Sequence, residues 1–212
     1  MLKVAVIGAW AKSGGQMIPL TYLRTTGTQF IDLGIKATAT MKVECKFKGT
    51  ELTNGKSFIP IFGAGTQYNS SDIFGFCIQT SSNSVLSYRG TMFNIDSGVG
   101  TVFLDDDCIF ELSPTSWELN NLTKSISRSG TISSSISNIT RNLEMFRFNS
   151  NNADLSNIAK ANIYYCKIWD GSDLVMDLHP YLIDGVPCML NEVDGVEFYN
   201  AGTGQFEYAK TA

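Results

Sequence analysis

Residues 42–48, Lys-Val-Glu-Cys-Lys-Phe-Lys, alternate polar and apolar side chains without a break. Successive side chains of a strand point to opposite faces, so this segment predicts a strand with one dry face and one wet face. The same pattern, read along the chain, predicts further strands at 57–63, 73–80, 84–89, 101–104, 108–112, 125–132, 142–148, 161–169, 174–178, 187–190, 196–199 and 205–208. Asn54-Gly55, Ser97-Gly98, Asp170-Gly171, Asp184-Gly185 and Asp194-Gly195 fall between such segments, and these are the residue pairs that tight hairpin loops favour. Helical periodicity is confined to Ala153–Ala159, enough for a turn or two. The Ser- and Thr-rich stretch 127–139 carries Ile132, Ile136 and Ile139 and reads as exposed strand and loop. Strands recurring at roughly 8–12 residues predict an all-β, antiparallel two-sheet sandwich. Residues 1–19 stand apart as an arm and linker, with a strand-like Leu2–Ile7 followed by Lys12-Ser13-Gly14-Gly15, ahead of one domain over residues 20–212.

Composition narrows this reading. A 212-residue chain that is 43% hydrophobic can bury a full core as a single β domain. The net charge of −4 comes with scattered Lys and Arg, which leaves no basic stripe for a phosphate backbone, so nucleic acid is not an expected partner. No apolar run approaches the roughly 20 residues a bilayer crossing requires, so no membrane partner is expected either. Met1–Ala11 imitates a very short signal peptide, but a strand or docking arm is the preferred reading. The five cysteines are widely spaced and form no CxxC pair, which speaks against zinc-knuckle and redox chemistry. Alternation sets Cys45 beside Val43 and Phe47, Cys108 beside Phe110 and Leu112, and Cys166 beside Tyr164 and Ile168. Each therefore reads as a buried free thiol of a reducing compartment.

Several segments invite chemistry. Glu192-x-Asp194-x-x-Glu197 imitates the carboxylate signature of jelly-roll glucanases. Retaining hydrolysis needs two carboxyls about 5–5.5 Å apart, yet a turn at Asp194-Gly195 splays Glu197 onto the next strand. No catalytic residue is assigned on that ground. Asp105, Asp106 and Asp107 are weak calcium candidates, because three adjacent carboxylates do not converge on one ion and a hairpin tip explains them as well. His179, the lone histidine, precedes Pro180 and reads as a strand end. A metal set of Cys166, His179 and Cys188 matches no common spacing. Tyr68, Tyr88 and Trp117 lie in or near polar loops and are weak candidates for a glycan or partner contact.

Tyr22-Leu23-x-x-Thr26-Gly27-Thr28-Gln29-Phe30-Ile31-Asp32-x-Gly34 resembles the opening strand of concanavalin A-like, laminin-G-like jelly-roll proteins of phages, prophages and gut bacteria. Ala161-x-Ile163-Tyr164-x-Cys166-Lys167-Ile168-Trp169-Asp170, Gly185-Val186-Pro187-Cys188-Met189 and Phe198-Tyr199-Asn200-Ala201-Gly202-Thr203-Gly204-x-Phe206 resemble that group at the other end. The resemblance implies a non-enzymatic structural or adhesive protein of a phage virion, a head or tail decoration or fibre made in the host cytoplasm. Its implied partners are other virion proteins and copies of itself, with host surface glycans as a further contact and no cofactor. The alternatives are a secreted or cell-surface carbohydrate-binding module and, last, a glycoside hydrolase.

Overall fold

The computed structural model describes residues 16–51, 58–66, 71–90, 92–95, 102, 104–137, 139–151 and 156–211. The strands are β1 (Met17–Arg24), β2 (Ile31–Asp32), β3 (Met41–Glu51), β4 (Phe58–Ala64), β5 (Phe74–Gln79), β6 (Ser84–Arg89), β7 (Met92–Ile95), β8 (Cys108–Leu112) and β9 (Ser116–Asn121). They continue as β10 (Ile126–Thr131), β11 (Glu144–Met145), β12 (Phe148–Asn149), β13 (Lys160–Asp170), β14 (Asp173–Ile183), β15 (Val186–Asn191), β16 (Glu197–Phe198) and β17 (Glu207–Lys210). No helix occurs among the described residues. The fold is an all-β two-sheet sandwich. Its larger sheet runs β10-β9-β8-β3-β13-β1-β14-β15-β16 with β17 paired to β1, and its smaller sheet runs β2-β11-β4-β5-β6-β7 with β12 paired to β4. Every pairing is antiparallel except β12 with β4.

The core lies between the sheets. β3 buries Val43, Cys45 and Phe47 and turns Lys42, Glu44, Lys46 and Lys48 outward, as its alternation predicts. From the facing sheet Phe76 meets Phe47 at 5.5 Å and Phe110 at 4.8 Å between ring centroids. Offset ring contacts of this kind stabilise a core beyond the area they bury. Arg89 crosses the sandwich, donating from its guanidinium to the Met41 and Ala39 carbonyls, and burial lowers its pKa to about 10. All five cysteines are buried and free.

Four expectations need correction. Met17, Ile18 and Pro19 are not linker, because β1 pairs them with Ile183, Leu182 and Tyr181 of β14. Residues 142–148 break into β11 and β12, since Phe146 takes φ 67 and sends its ring to Phe206 at 5.2 Å. Val102 and Leu104 are not in a strand. Tyr164 does not share a face with Cys166, because the register slips between Ile163 and Tyr165. A bulge of this kind re-aims a side chain, and both Tyr164 and Tyr165 point outward, each with its hydroxyl on a carboxylate. Two strands went unforeseen, β7 and β9; β9 is Ser-Trp-Glu-Leu-Asn-Asn, too polar for alternation to mark. In the helical candidate, residues 153–155 lie outside the described residues and 156–159 are not helical.

Candidate functional site

The hairpin of β14 and β15 turns through Asp184 and Gly185, both at positive φ (51° and 81°). This is the conformation a two-residue hairpin needs to match strand twist. The turn pairs Ile183 with Val186, and the ladder then pairs Tyr181 with Cys188, His179 with Leu190 and Leu178 with Asn191. Beyond the ladder's end, the Glu192 amide donates to the Asp177 carbonyl at 2.8 Å. Asp177 and Glu192 are therefore cross-strand neighbours, and His179 sits two residues along on Asp177's face. Asn191 holds the two segments in place. Buried at 1% exposure, its side chain accepts from the amides of Asp177 (2.8 Å) and Val193 (3.3 Å) and donates to the Val175 carbonyl (3.3 Å).

On this outer face His179 Nε2 meets Asp177 Oδ1 at 2.8 Å, with the two side chains 32% and 18% exposed. Lys167 donates to the other oxygen of Asp177 at 3.2 Å. The Tyr181 hydroxyl donates to Glu192 Oε1 at 3.0 Å, and burial first, then the Glu192 contact, pushes the phenol up to about 12. Tyr165 stacks on the His179 ring at 6.1 Å and donates to Glu44 Oε1 at 3.0 Å. Burial, followed by that carboxylate, raises its pKa as well. Taking one donor atom from each, Asp177, His179 and Glu192 lie within 4.8 Å of one another, so these are residues that could hold a metal ion.

Register gathers more charge around them. Glu118 lies opposite Glu111, Glu111 opposite Glu44, Glu44 opposite Lys167, and Lys167 opposite Asp177. With Glu192 this makes a transverse row of carboxylates interrupted by one lysine. Like charges directly opposite repel. Lys42 relieves part of the strain by pairing with Glu111 at 3.1 Å. A separate hollow of ≈ 230 Å³ beside Arg24, Thr26, Thr50 and Lys160 has its cations paired already, Arg24 with Glu207 at 3.6 Å and Lys160 with Glu51 at 2.9 Å.

The residues singled out from sequence fare differently. The turn at Asp194-Gly195 forms, with Gly195 donating to the Asn191 carbonyl. Glu197 stands on β16, accepting from the Tyr199 hydroxyl. Asp105, Asp106 and Asp107 precede β8 and face separate partners: Asp106 takes the Asn121 amide at 2.7 Å, and Asp107 takes the Tyr164 hydroxyl at 2.6 Å. Tyr88 is no surface contact, because it is buried on β6 with its ring against Phe148 at 5.4 Å. Trp117 lies on β9, half-buried over Gly130, rather than in a loop. Tyr68 lies outside the described residues. His179 does not end a strand, since β14 continues through Pro180 to Ile183. Cys166 faces the core, away from His179 on the opposite side of its sheet. The Asp177–His179–Glu192 grouping was missed. The signal for it was present in the Asp184-Gly185 turn, from which residues count outward in pairs.

No family model matches this chain, and no curated protein matches it. Among solved structures, SCP-B, a member of the eqolisin family of peptidases in a complex with the tripeptide Ala-Ile-His, is similar at TM-score 0.40 and 14% identity, covering 92% of this chain and 100% of that one. Scytalido-glutamic peptidase, solved with a peptide-based transition-state analogue, is similar at TM-score 0.32 and 12% identity, covering 84% of each chain. These findings overturn what the laminin-G-like resemblance implied. The family, the virion or adhesive role and the non-enzymatic character are not carried forward; the similar structures found are peptidases. At such identities the likeness is one of β-sandwich fold, and no residue role passes from those enzymes to this chain.

Proposed function

We propose that this protein is a hydrolase whose chemistry occurs on the outer face of the larger sheet, where water is activated among Asp177, His179 and Glu192. The observation that carries the reading is their meeting. The chain's lone histidine is fixed by a carboxylate at 2.8 Å on a solvent-accessible strand face, with a second carboxylate in reach across the hairpin. Hydrolysis of a carbonyl compound needs a group to orient and deprotonate water and a donor for the charge that develops on oxygen. The Tyr181 hydroxyl, donating its one proton to Glu192 at 3.0 Å, holds that carboxylate in place at the rim of the site. The face is open and crossed by acidic side chains of several strands. It therefore suits an extended substrate with basic groups, and a Lys- or Arg-containing peptide is the class of choice.

The test is a fluorogenic peptide and ester panel with the wild-type chain and the D177N, H179A and E192Q variants. Cleavage should favour basic peptides and fall about 100-fold or more in H179A. Wild-type cleavage of nothing in the panel, or cleavage that survives all three substitutions, would overturn the assignment.

A further inference from the structure

We infer that Asp177, His179 and Glu192 bind one divalent transition-metal ion of the zinc, cobalt or manganese class. The inference deepens the hydrolytic reading by naming what activates the water, although the binding itself does not depend on turnover. Three donors projecting from one hairpin onto one face form the kind of site that keeps a further coordination position open for water. Such donors stand about 2.0–2.2 Å from zinc, hence about 3.3–3.6 Å from one another in a tetrahedral arrangement. His179 Nε2 and Asp177 Oδ1 are already closer than that at 2.8 Å, and the ion would take the place of their mutual hydrogen bond. Glu192, exposed at the turn after β15, is the arm that closes the set.

The partners around the donors support this use. Lys167 occupies Asp177 Oδ2 and the Tyr181 hydroxyl occupies Glu192 Oε1. Each carboxylate thus has one oxygen tied to a neighbour that orients it, as metal-binding carboxylates generally do. Asn191 fixes the backbone on either side of Glu192 and at Asp177. The neighbouring Glu44 and Glu111 add negative potential along the row, offset locally by Lys167. The donor chemistry selects the ion: an imidazole with two carboxylates suits borderline transition metals. Calcium wants six to eight oxygens, and magnesium keeps its waters. A bound ion of this class would lower the pKa of its water, whose proton goes to solvent; the hydroxide would add to the peptide carbonyl carbon, the C–N bond would break, and the amine would leave with a proton from solvent.

The experiment is titration of the chelator-treated full chain with Co2+, followed by visible absorption, and with Zn2+, followed by calorimetry. One ion per chain is expected, with affinity about 10-fold or more weaker in H179A and in E192Q. E118Q, outside the triad, should bind like wild type. Circular dichroism checks that each variant is folded. Absence of stoichiometric binding, binding unchanged in folded H179A and E192Q, or an intense sulfur-to-cobalt band that places the ion on Cys188 would each overturn the inference. Hydrolysis is measured separately. Binding without turnover removes the hydrolytic reading alone, and chelator-insensitive turnover without binding removes the metal alone.

Discussion

The outer faces of the two sheets are built to opposite ends. On the larger sheet, β3, β13 and β14 send Lys, Glu, Tyr, Asp and His side chains into solvent and pair them with one another. On the smaller sheet, β4, β5 and β6 are buried along nearly their whole length, on both sides. Phe148 covers that second face, joined by Ile73, Cys77, Leu86 and Tyr88 in a cluster separate from the main core. The contact is tight. A Cβ added at Gly63 would lie 2.4 Å from the Phe148 ring, and one added at Gly75 would lie 2.2 Å from the Phe62 carbonyl oxygen. One sheet is therefore covered on both sides, while the other keeps an open polar face.

Substitutions should separate the two faces by the size of their effect. Gly75→Ala meets both a φ of 141° and the clash with Phe62 and Phe148, so urea unfolding should show a loss of about 3–5 kcal/mol, strain and overpacking together. A loss below about 1 kcal/mol would mean that the covering layer is loose. Asn191→Ala should fall next. Removing a buried side chain with three backbone contacts should cost about 2–3 kcal/mol, and it should also misplace Glu192. Hydrolysis and metal affinity would then decline more than stability alone explains.

Alkaline pH probes both faces through thiols. Burial raises Cys77, behind the smaller sheet, and Cys188, on the outside of the larger one, from 9.0 to about 12 each. Cys188 lies with Ile183 and Leu190 in a dry patch beside the hydrophilic site. A raised folded-state pKa gives stability that is whole below the unfolded value and lost as pH climbs toward the folded one. The urea midpoint should therefore fall progressively from pH 9 to 12, and fall less in C77S and C188S. A flat profile would show that these thiols are wet. Glu118→Lys is the smallest change expected. It replaces a like-charge pair with Glu111 by an opposite one and should add a few tenths of a kcal/mol by thermal unfolding. D177N, H179A and E192Q should each alter stability by less than about 1 kcal/mol while they alter chemistry most.

Much of the framework was legible in the residues themselves. The 42–48 alternation became β3 with the faces assigned as read, and residues 84–89 and 108–112 became β6 and β8 without a shift of boundary. The site was legible only in pieces. Glu192 reads as part of a glucanase-like run, and His179 reads as a strand end. Neither reading asks what lies across a hairpin. The Asp184-Gly185 turn answers that question for Asp177 and Glu192. No local signal brings Lys167 or Glu44 to the same place, because β13 and β3 are remote in sequence from β14.

Sequence by itself determined β3, β6 and β8, the dry face of β3, and the reversals at Asp170-Gly171, Asp184-Gly185 and Asp194-Gly195. Those properties depend on side-chain alternation and turn chemistry within a few residues. Tertiary structure alone decided that the smaller sheet is covered by Phe148, that a bulge turns Tyr164 outward, and that carboxylates of several strands fall into one row with His179 beside it. The reason is that strand order and register are settled by how two sheets bury their apolar sides against each other. Once that packing is set, the polar sides follow, and residues far apart along the chain become neighbours.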